Sequence, residues 1–469
     1  MKVELPEKVN EIINTLMAAG YEAYAVGGCV RDSLLSRIPK DWDITTSAYP
    51  EQVKALFRRT IDTGIQHGTV TVMSGKEGFE VTTYRIDGEY EDGRHPKQVS
   101  FTRELSEDLR RRDFTINAMA YNPESGLVDL FGGQEDLNNR IIRCVGNPEE
   151  RFNEDALRIM RAVRFAATLD YEIDEATAKA AQTLAPNLKK ISAERIQAEL
   201  TKLLTSHHPE RLKTAYELGI LDIIMPEFCI MMDTPQNNPH HCYNVGEHTL
   251  HAICNINADG YDEYILKCLR YGMLFHDMGK PACKTTDEAG IDHFSGHPEV
   301  SGEIALEIMR RLKFDNKSRD FIFKIVKYHD LRPRMTLPGM RKIINKIGAE
   351  LAEHFETVQL ADIMAQSEYM REEKLERLAQ MQNYYRHIKE AGDALFLKDL
   401  KVNGRDILAE QLAQGEEIGE LLNYLLVMVL NRPELNDKEK LMELARNYSL
   451  TKDKTGMVDG EDAPVDRVY

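Results

Sequence analysis

Over the first 140 or so residues, short apolar, β-branched runs are cut by glycine and by charge. Tyr24-Ala25-Val26, Val70-Thr71-Val72 and Glu80-Val81-Thr82-Thr83-Tyr84 read as strands. Helical segments lie between them, which predicts an α/β head over 1–140. From Asn147-Pro148 onward the pattern turns helical and stays so. Ser192, before Ala193-Glu194-Arg195-Ile196, is an expected N-cap. The expected organisation is α+β: the head, a helical neck over 141–235, a linker from Pro235 to Pro239, a second helical domain over 240–366, and C-terminal helices over 367–450. A long charged helix is expected over 368–391, and further helices after Asn403-Gly404. The polar segment 451–469 is expected to be disordered.

Placed on one helical wheel, 154–168 puts Ala156, Ile159, Met160, Val163 and Ala167 on one side. Glu154, Arg158 and Arg161 fall opposite, flanked by Asp155 and Arg164. One face packs and the other presents charge. Asp155 and Arg158 are surface neighbours on such a helix.

Composition adjusts this picture. A chain of 469 residues is too long for one ordinary core. No apolar stretch is long enough to span a bilayer, and acids and amides among the first 20 residues argue against a signal peptide. Seven cysteines without a Cys-x-x-Cys suit reduced thiols and a cytoplasmic setting. A net charge of −17 argues against a nucleic-acid partner. Yet Arg110, Arg111, Arg112, Arg140, Arg143, Arg151, Arg158, Arg161 and Arg164 crowd one segment. A local basic strip binds a phosphate backbone even on an acidic chain.

The chemistry is densest near the N-terminus. Gly27-Gly28 ends an apolar run in a tight turn that lets backbone approach a phosphate. Arg31 adds a planar fork of donors for phosphate oxygens. Asp41 and Asp43 flank Trp42 on an expected second strand, where they point to one face. Side-by-side carboxylates repel unless a cation joins them, and Mg²⁺ suits hard oxygen ligands together with substrate phosphates.

These residues resemble the bacterial nucleotidyltransferases that add CCA to tRNA, a class shared with poly(A) polymerases. Arg111-Arg112-Asp113-Phe114-Thr115-Ile116-Asn117-Ala118, Asp129-Leu130-Phe131-Gly132-Gly133 and Glu154-Asp155-Ala156-Leu157-Arg158 carry the resemblance through about the first two hundred residues. It implies transfer of CMP and AMP from CTP and ATP to tRNA, with Asp41 and Asp43 as Mg²⁺ ligands and Glu80 as a third catalytic carboxylate. Gly27, Gly28, Arg31, Arg112, Asp113, Asn117, Arg161 and Arg164 would hold the nucleotide. Asp155 and Arg158 would imitate a pairing edge that accepts C and A and rejects G and U. The polar stretch around Arg94-His95-Pro96 resembles an element needed for the final A step. An A-adding enzyme or poly(A) polymerase of the same fold stays open. DNA and membrane are not implied partners, and the sequence leaves the oligomeric state open.

Further along, His248, His276-Asp277-Met278-Gly279-Lys280 and Asp362 resemble the metal-dependent HD phosphohydrolases, with His297 and His329 between. The resemblance implies a divalent transition metal or Mg²⁺ on His248, His276, Asp277 and Asp362, with His297 and His329 open to a second metal or a phosphate. An RNA-end phosphohydrolase or 2′,3′-cyclic phosphodiesterase is the competing function. Val402-Asn403-Gly404-Arg405-Asp406-Ile407 and Gly415-Glu416-Glu417-Ile418-Gly419 resemble the C-terminal part of HD-bearing members. Glu416 stands where that resemblance leads one to expect proline. The implied role is to hold the tRNA elbow.

Overall fold

A computed structural model describes residues 3–87 and 99–455. The chain divides into two units, 1–230 with 308–314, and 231–307 with 315–469.

Among the described residues the first unit contains nine strands before residue 130: β1 (Ala23–Val26), β2 (Ile44–Thr46), β3 (Thr60–Gly64), β4 (Thr69–Ser74), β5 (Glu77–Thr83), β6 (Arg85–Asp87), β7 (Val99–Phe101), β8 (Met119–Asn122) and β9 (Gly126–Asp129). Seven form one sheet in the order β3-β4-β5-β2-β1-β8-β9, while β6 and β7 pair separately. Within the sheet β2 and β5 are parallel, with Ile44 opposite Val81, and the other pairs are antiparallel. β1 is buried along its whole length: Tyr24 and Val26 cluster with Tyr84 and Leu109, and the Glu7–Ala18 helix also packs against the strand. Burial on both faces explains why it reads as a continuous apolar run rather than an alternating one.

Three expectations need correction. Asp41 and Asp43 do not lie on a strand; they precede β2, which starts at Ile44. The segment 154–168 is not one helix. The Pro148–Glu154 helix ends at Asp155, whose φ of −140° and ψ of 103° are extended, and a second helix runs Leu157–Leu169. The apolar face nonetheless packs as the wheel implies: Ala156, Ile159, Met160, Val163 and Ala167 are all buried. The C-terminal helix Lys438–Thr455 runs four residues past the start expected for a disordered tail, and 456–469 lie outside the described residues. So do Arg94, His95 and Pro96.

In the second unit, helices Val245–Cys254, Glu263–Phe275, Asn316–Tyr328 and Ala349–Ala365 pack on one another. Asn244, Asp262 and Asp315 start three of them by accepting backbone N–H groups of the first turn. The long charged helix spans Arg371–Ala391. The C-terminal helices enclose their own core around Ile407, Leu421, Leu425, Val429 and Leu441.

Candidate active site and metal centre

In the first unit the site grows from the end of β1. Gly27 has φ 82° and ψ −127°, a conformation that an L side chain rarely adopts. A Cβ there would meet Arg112 Nη1 at 2.9 Å, so the bare backbone leaves room for that guanidinium. Gly28 opens the Gly28–Leu34 helix, which carries Arg31. Arg31 Nη1 donates to Asn117 Oδ1 at 2.6 Å, and Asn117 Nδ2 donates to Asp113 Oδ1 at 3.1 Å. Arg161 Nε donates to Asp113 Oδ2 at 2.7 Å. Burial alone would raise the Asp113 carboxyl, but Arg161 and Asn117 outweigh it and hold Asp113 well below the ordinary carboxylate range. Residues from three segments are thereby locked into one network.

Phe165 caps that network. Its ring centre lies 3.7 Å from the Arg164 guanidinium carbon, 5.1 Å from that of Arg31 and 5.4 Å from that of Arg161. The negative ring face helps to gather three like charges. Burial lowers Arg164 to about 10, against the pull of Glu199, whose carboxylate pairs with it at 2.7 Å. Sequence reasoning missed Phe165 and Glu199: Phe165 follows Arg161 by one helical turn but is far in sequence from Arg31, and Glu199 lies on a different helix from Arg164.

The three expected catalytic carboxylates, Asp41, Asp43 and Glu80, are exposed. Val26 N–H donates to the Asp43 carbonyl at 3.0 Å, so the chain already runs beside β1 before β2 begins. Ile44 and Val81 are paired and fully buried. Alternation along each strand then turns the preceding residues, Asp43 and Glu80, toward the opposite face side by side. Desolvation and the neighbouring Asp41 raise the Asp43 carboxyl, while Arg112 opposes them. Among the described residues, Asp41, Asp43 and Glu80 do not form a set of three ligating atoms within 4.8 Å of one another.

The side chains of Asp155 and Arg158 take other partners, although the Arg158 N–H donates to the Asp155 carbonyl at 3.0 Å. Asp155 accepts from Arg195 at 2.7 Å and from the Leu157 N–H at 3.0 Å. Arg158 donates to Glu154 at 2.5 Å and to the carbonyls of Arg111 and Arg151. Both still act on the network electrostatically: Arg158 on Asp113, and Asp155 on Arg161.

The second unit gathers the other predicted set. His276 and His329 directly follow the Glu263–Phe275 and Asn316–Tyr328 helices. The Nδ1 of each donates to the carbonyl three residues back, Met273 at 2.6 Å and Val326 at 2.7 Å. His297 Nδ1 does the same to Phe294 at 2.9 Å, and His248 Nδ1 donates to Ala365 at 3.2 Å. A carbonyl only accepts, so every Nδ1 carries a proton, and each neutral imidazole then offers a lone pair at Nε2.

Those Nε2 atoms converge on Asp277. Its Oδ2 lies 3.3 Å from His248 and 3.2 Å from His276, and its Oδ1 lies 3.3 Å from His297 and 3.8 Å from His329. Asp362 Oδ1 stands 3.0 Å from His248 Nε2. Neither Asp277 oxygen receives a well-directed hydrogen bond, although Lys280 Nζ sits 2.7 Å from Oδ2. Buried lone pairs crowded this closely are costly unless a cation joins them. His248, His276 and Asp277 make one possible metal-holding group; Asp277, His297 and His329 make another. Imidazole with carboxylate fits a divalent transition ion or Mg²⁺.

Three family models match this chain. One, a "Poly A polymerase head domain", matches residues 23–143, and one described as an RNA and SrmB- binding site of polymerase A matches 170–231. A third, tRNA nucleotidyltransferase domain 2, matches 285–445. The CCA-adding enzyme of Limosilactobacillus reuteri is 54% identical over 203 residues, 43% of this chain and 50% of the relative. That of Streptococcus suis is 57% identical over 203 residues, with the same shares. The chain thus spans about half the length of the curated relatives it matches. The crystal structure of the Bacillus stearothermophilus CCA-adding enzyme in complex with CTP superposes with a TM-score of 0.69 at 31% identity, covering 95% of this chain and 97% of that one.

The chain belongs to the CCA-adding enzyme family. As a member of that family it has a mixed α and β fold, with a nucleotidyltransferase head and helices beyond it. The glycine turn, Arg31, Asp41, Asp43, Glu80, Arg112, Asp113 and Asn117 all fall inside the head match. No helix among the described residues is long and apolar enough to cross a membrane.

Proposed function

We propose that this protein adds C, C and A to tRNA 3′ ends without a template, transferring CMP and AMP from CTP and ATP with release of pyrophosphate. The carrying observation is the convergence of the Gly27 turn, the Arg31–Asn117–Asp113–Arg161 network and the exposed pair Asp41 and Asp43 at the entrance to β2. The relative solved with CTP supports the nucleotide, and the relatives' name supports the product.

In this reading Arg31 and Arg112 bind the triphosphate beside the uncrowded Gly27 backbone. Asp41 and Asp43 would hold Mg²⁺, which when bound steadies the attacking and leaving oxygens. Glu80 takes the proton from the tRNA 3′-hydroxyl, whose oxygen forms a bond to the α-phosphorus. The bond from that phosphorus to pyrophosphate breaks, and pyrophosphate leaves with the electron pair. Asp155 accepts from the amino group common to C and A, and Arg158 donates to the same edge, each exchanging its present partner for the base. The seven cysteines, none of them in a disulfide, support a cytoplasmic setting. The domain reading that goes with this function is head 1–140, neck 141–235, HD domain 240–366 and tRNA-holding helices 367–450.

The test is incorporation of labelled CTP and ATP, separately and together, into tRNAs ending before each of the last three nucleotides. Two C and then one A, abolished by Asp41→Ala/Asp43→Ala, is the expected result. Incorporation of A alone would move the protein to the A-adding branch, and no incorporation would discard the polymerase reading.

The four convergent Nε2 atoms around Asp277 favour a second activity, hydrolysis of phosphate esters at RNA ends by an HD-type centre. His248, His276, Asp277 and Asp362 would hold one divalent ion, and Asp277, His297 and His329 are placed to hold another. Such a metal, when bound, acidifies a water for attack on phosphorus. Metal-dependent hydrolysis that survives His276→Ala and Asp277→Ala would remove this reading.

A further inference from the structure

Beside the Asp277 cluster lies a cleft of about 160 Å³ that His329 and Asp362 help to line. Three further lining residues are cations, Arg332, Lys374 and Arg377. None of them was singled out by the sequence. Two come from the Arg371–Ala391 helix, outside the stretch in which the metal-binding residues occur.

Each cation is held in place by a group that leaves donors to spare. Lys374 Nζ donates to Gln366 Oε1 at 2.7 Å, and Gln366 in turn donates to Asp362 Oδ2 at 2.9 Å. Arg377 Nη2 donates to the Pro333 carbonyl at 2.9 Å. Arg332 Nη2 reaches only the Asp330 carboxylate, at 3.1 Å. Burial and the charges of Arg332 and Arg371 disfavour the Lys374 ammonium, and Asp362 favours it. His240 lines the same cleft, and its Nδ1 has no hydrogen-bond partner. The acids in the cleft are Asp330, Glu373 and Asp362. Asp330 is engaged by Arg332, and Asp362 faces the imidazoles.

We propose that Lys374, with Arg332 and Arg377, binds the phosphoryl oxygens of a phosphate group carried on the 3′-terminal ribose of an RNA, with its phosphorus turned toward Asp277 and Asp362. The proposal rests on the phosphohydrolase reading of the metal centre and names the part of the substrate that the cleft selects. An ammonium and two guanidinium groups on one rim offer more donors than a neutral ester needs, and they match a dianionic or monoanionic phosphoryl group. The same chemistry is presented by a 3′-phosphate and by a 2′,3′-cyclic phosphate. The Lys374–Gln366–Asp362 chain makes Lys374 a positioning and binding residue, not one that reacts.

The test uses the full-length protein loaded with Ni²⁺ or Mn²⁺. Inorganic phosphate is titrated calorimetrically into the wild type, Lys374→Met and Lys374→Arg, with metal content measured on each. Both variants share the wild-type head, so the difference isolates the cleft. A loss of phosphate affinity of tenfold or more in Lys374→Met, partly restored in Lys374→Arg at unchanged metal content, is expected. Hydrolysis of oligonucleotides ending in a 3′-phosphate or a 2′,3′-cyclic phosphate should then show a raised KM with a smaller change in kcat, and whichever probe turns over identifies the ester. Equal phosphate affinity in wild type and Lys374→Met overturns the proposal even if both hydrolyse the probes. Lys374-dependent phosphate binding with no turnover of either probe upholds the binding site and overturns the phosphohydrolase reading.

Discussion

The head site and the second-unit centre handle charge in opposite ways. In the first unit, around the head site, buried carboxylates are already matched with arginine: Asp113 with Arg161, Asp108 with Arg111, and Glu199 with Arg164. Its expected metal-binding acids, Asp41 and Asp43, are exposed and lie apart from any tight set of ligands. In the second unit, four histidines and two aspartates are buried or nearly so, and their ligating atoms face each other. On the proposed function, the first arrangement would be completed by what arrives, a triphosphate with its own cation, and the second by a resident ion. A polymerising head would have to release product and reload, which an exposed, incomplete set of acids suits; a buried, preassembled set suits a metal that stays.

The sharpest break of this contrast is in the head. Asp41→Ala/Asp43→Ala should lower nucleotide incorporation by about a thousandfold or more, corresponding to ~4 kcal/mol of barrier. Thermal unfolding should hardly move, since exposed carboxylates without partners contribute little to stability. A large loss of stability in this variant would mean that the head acids are structural.

Next in size is Asp277→Asn in the second unit. It replaces the one carboxylate shared by both possible metal-holding groups with a neutral amide. Metal retained after dialysis against a chelator should fall to background, while CCA incorporation stays at the wild-type level. Wild-type metal content in this variant would show that Asp277 is not the shared ligand.

Asp113→Asn probes the prepaired side of the comparison. Removing one partner of a buried ion pair costs about 3 kcal/mol. The folded carboxyl lies below its unfolded value, so this stability is complete above the ordinary aspartate value of ~3.9 and fades as pH falls through the lower folded value. The gap in urea midpoint between wild type and Asp113→Asn should therefore be full at neutral pH and close only under strong acid. A gap that closed between pH 7 and 5 would place the contribution on another group.

The residues that converge in the second unit were legible in the sequence because order and residue type carried them: His248, His276-Asp277 and Asp362 are an unusual series for a helical stretch. The strands β1, β4 and β5 were legible from β-branched runs. What escaped was anything set by long-range contact. The apolar stripe of 154–168 continues smoothly across Asp155, so the wheel could not show that the backbone opens there. The break is fixed by Arg195, forty residues away, and by the Leu157 N–H that Asp155 accepts. Lys374 and Arg377 sit in a helix whose charges look like any solvated face until the cleft beside Asp362 is seen. Asp41 and Asp43 were placed one step too far into a strand, because extended backbone alternates side chains whether or not it is paired.

The smallest effect returns to the head and to a single hydrogen. Gly27→Ala adds a methyl group where Arg112 Nη1 would lie 2.9 Å away, at a φ of +82°. Left-handed backbone costs a non-glycine residue about 1–2 kcal/mol. A guanidinium is the far end of a flexible chain, so Arg112 moves aside rather than the sheet. Two readouts should then separate. Stability should fall by about 1–2 kcal/mol from backbone strain alone. KM for CTP and ATP should rise severalfold, because the displaced Arg112 no longer faces the phosphates and no longer offsets the raised carboxyl of Asp43. Arg112→Met should reproduce the KM effect without the backbone strain. If Gly27→Ala destabilises the protein while leaving KM unchanged, Gly27 is needed only for the turn, and the approach of a phosphate to that backbone is not part of how the head works.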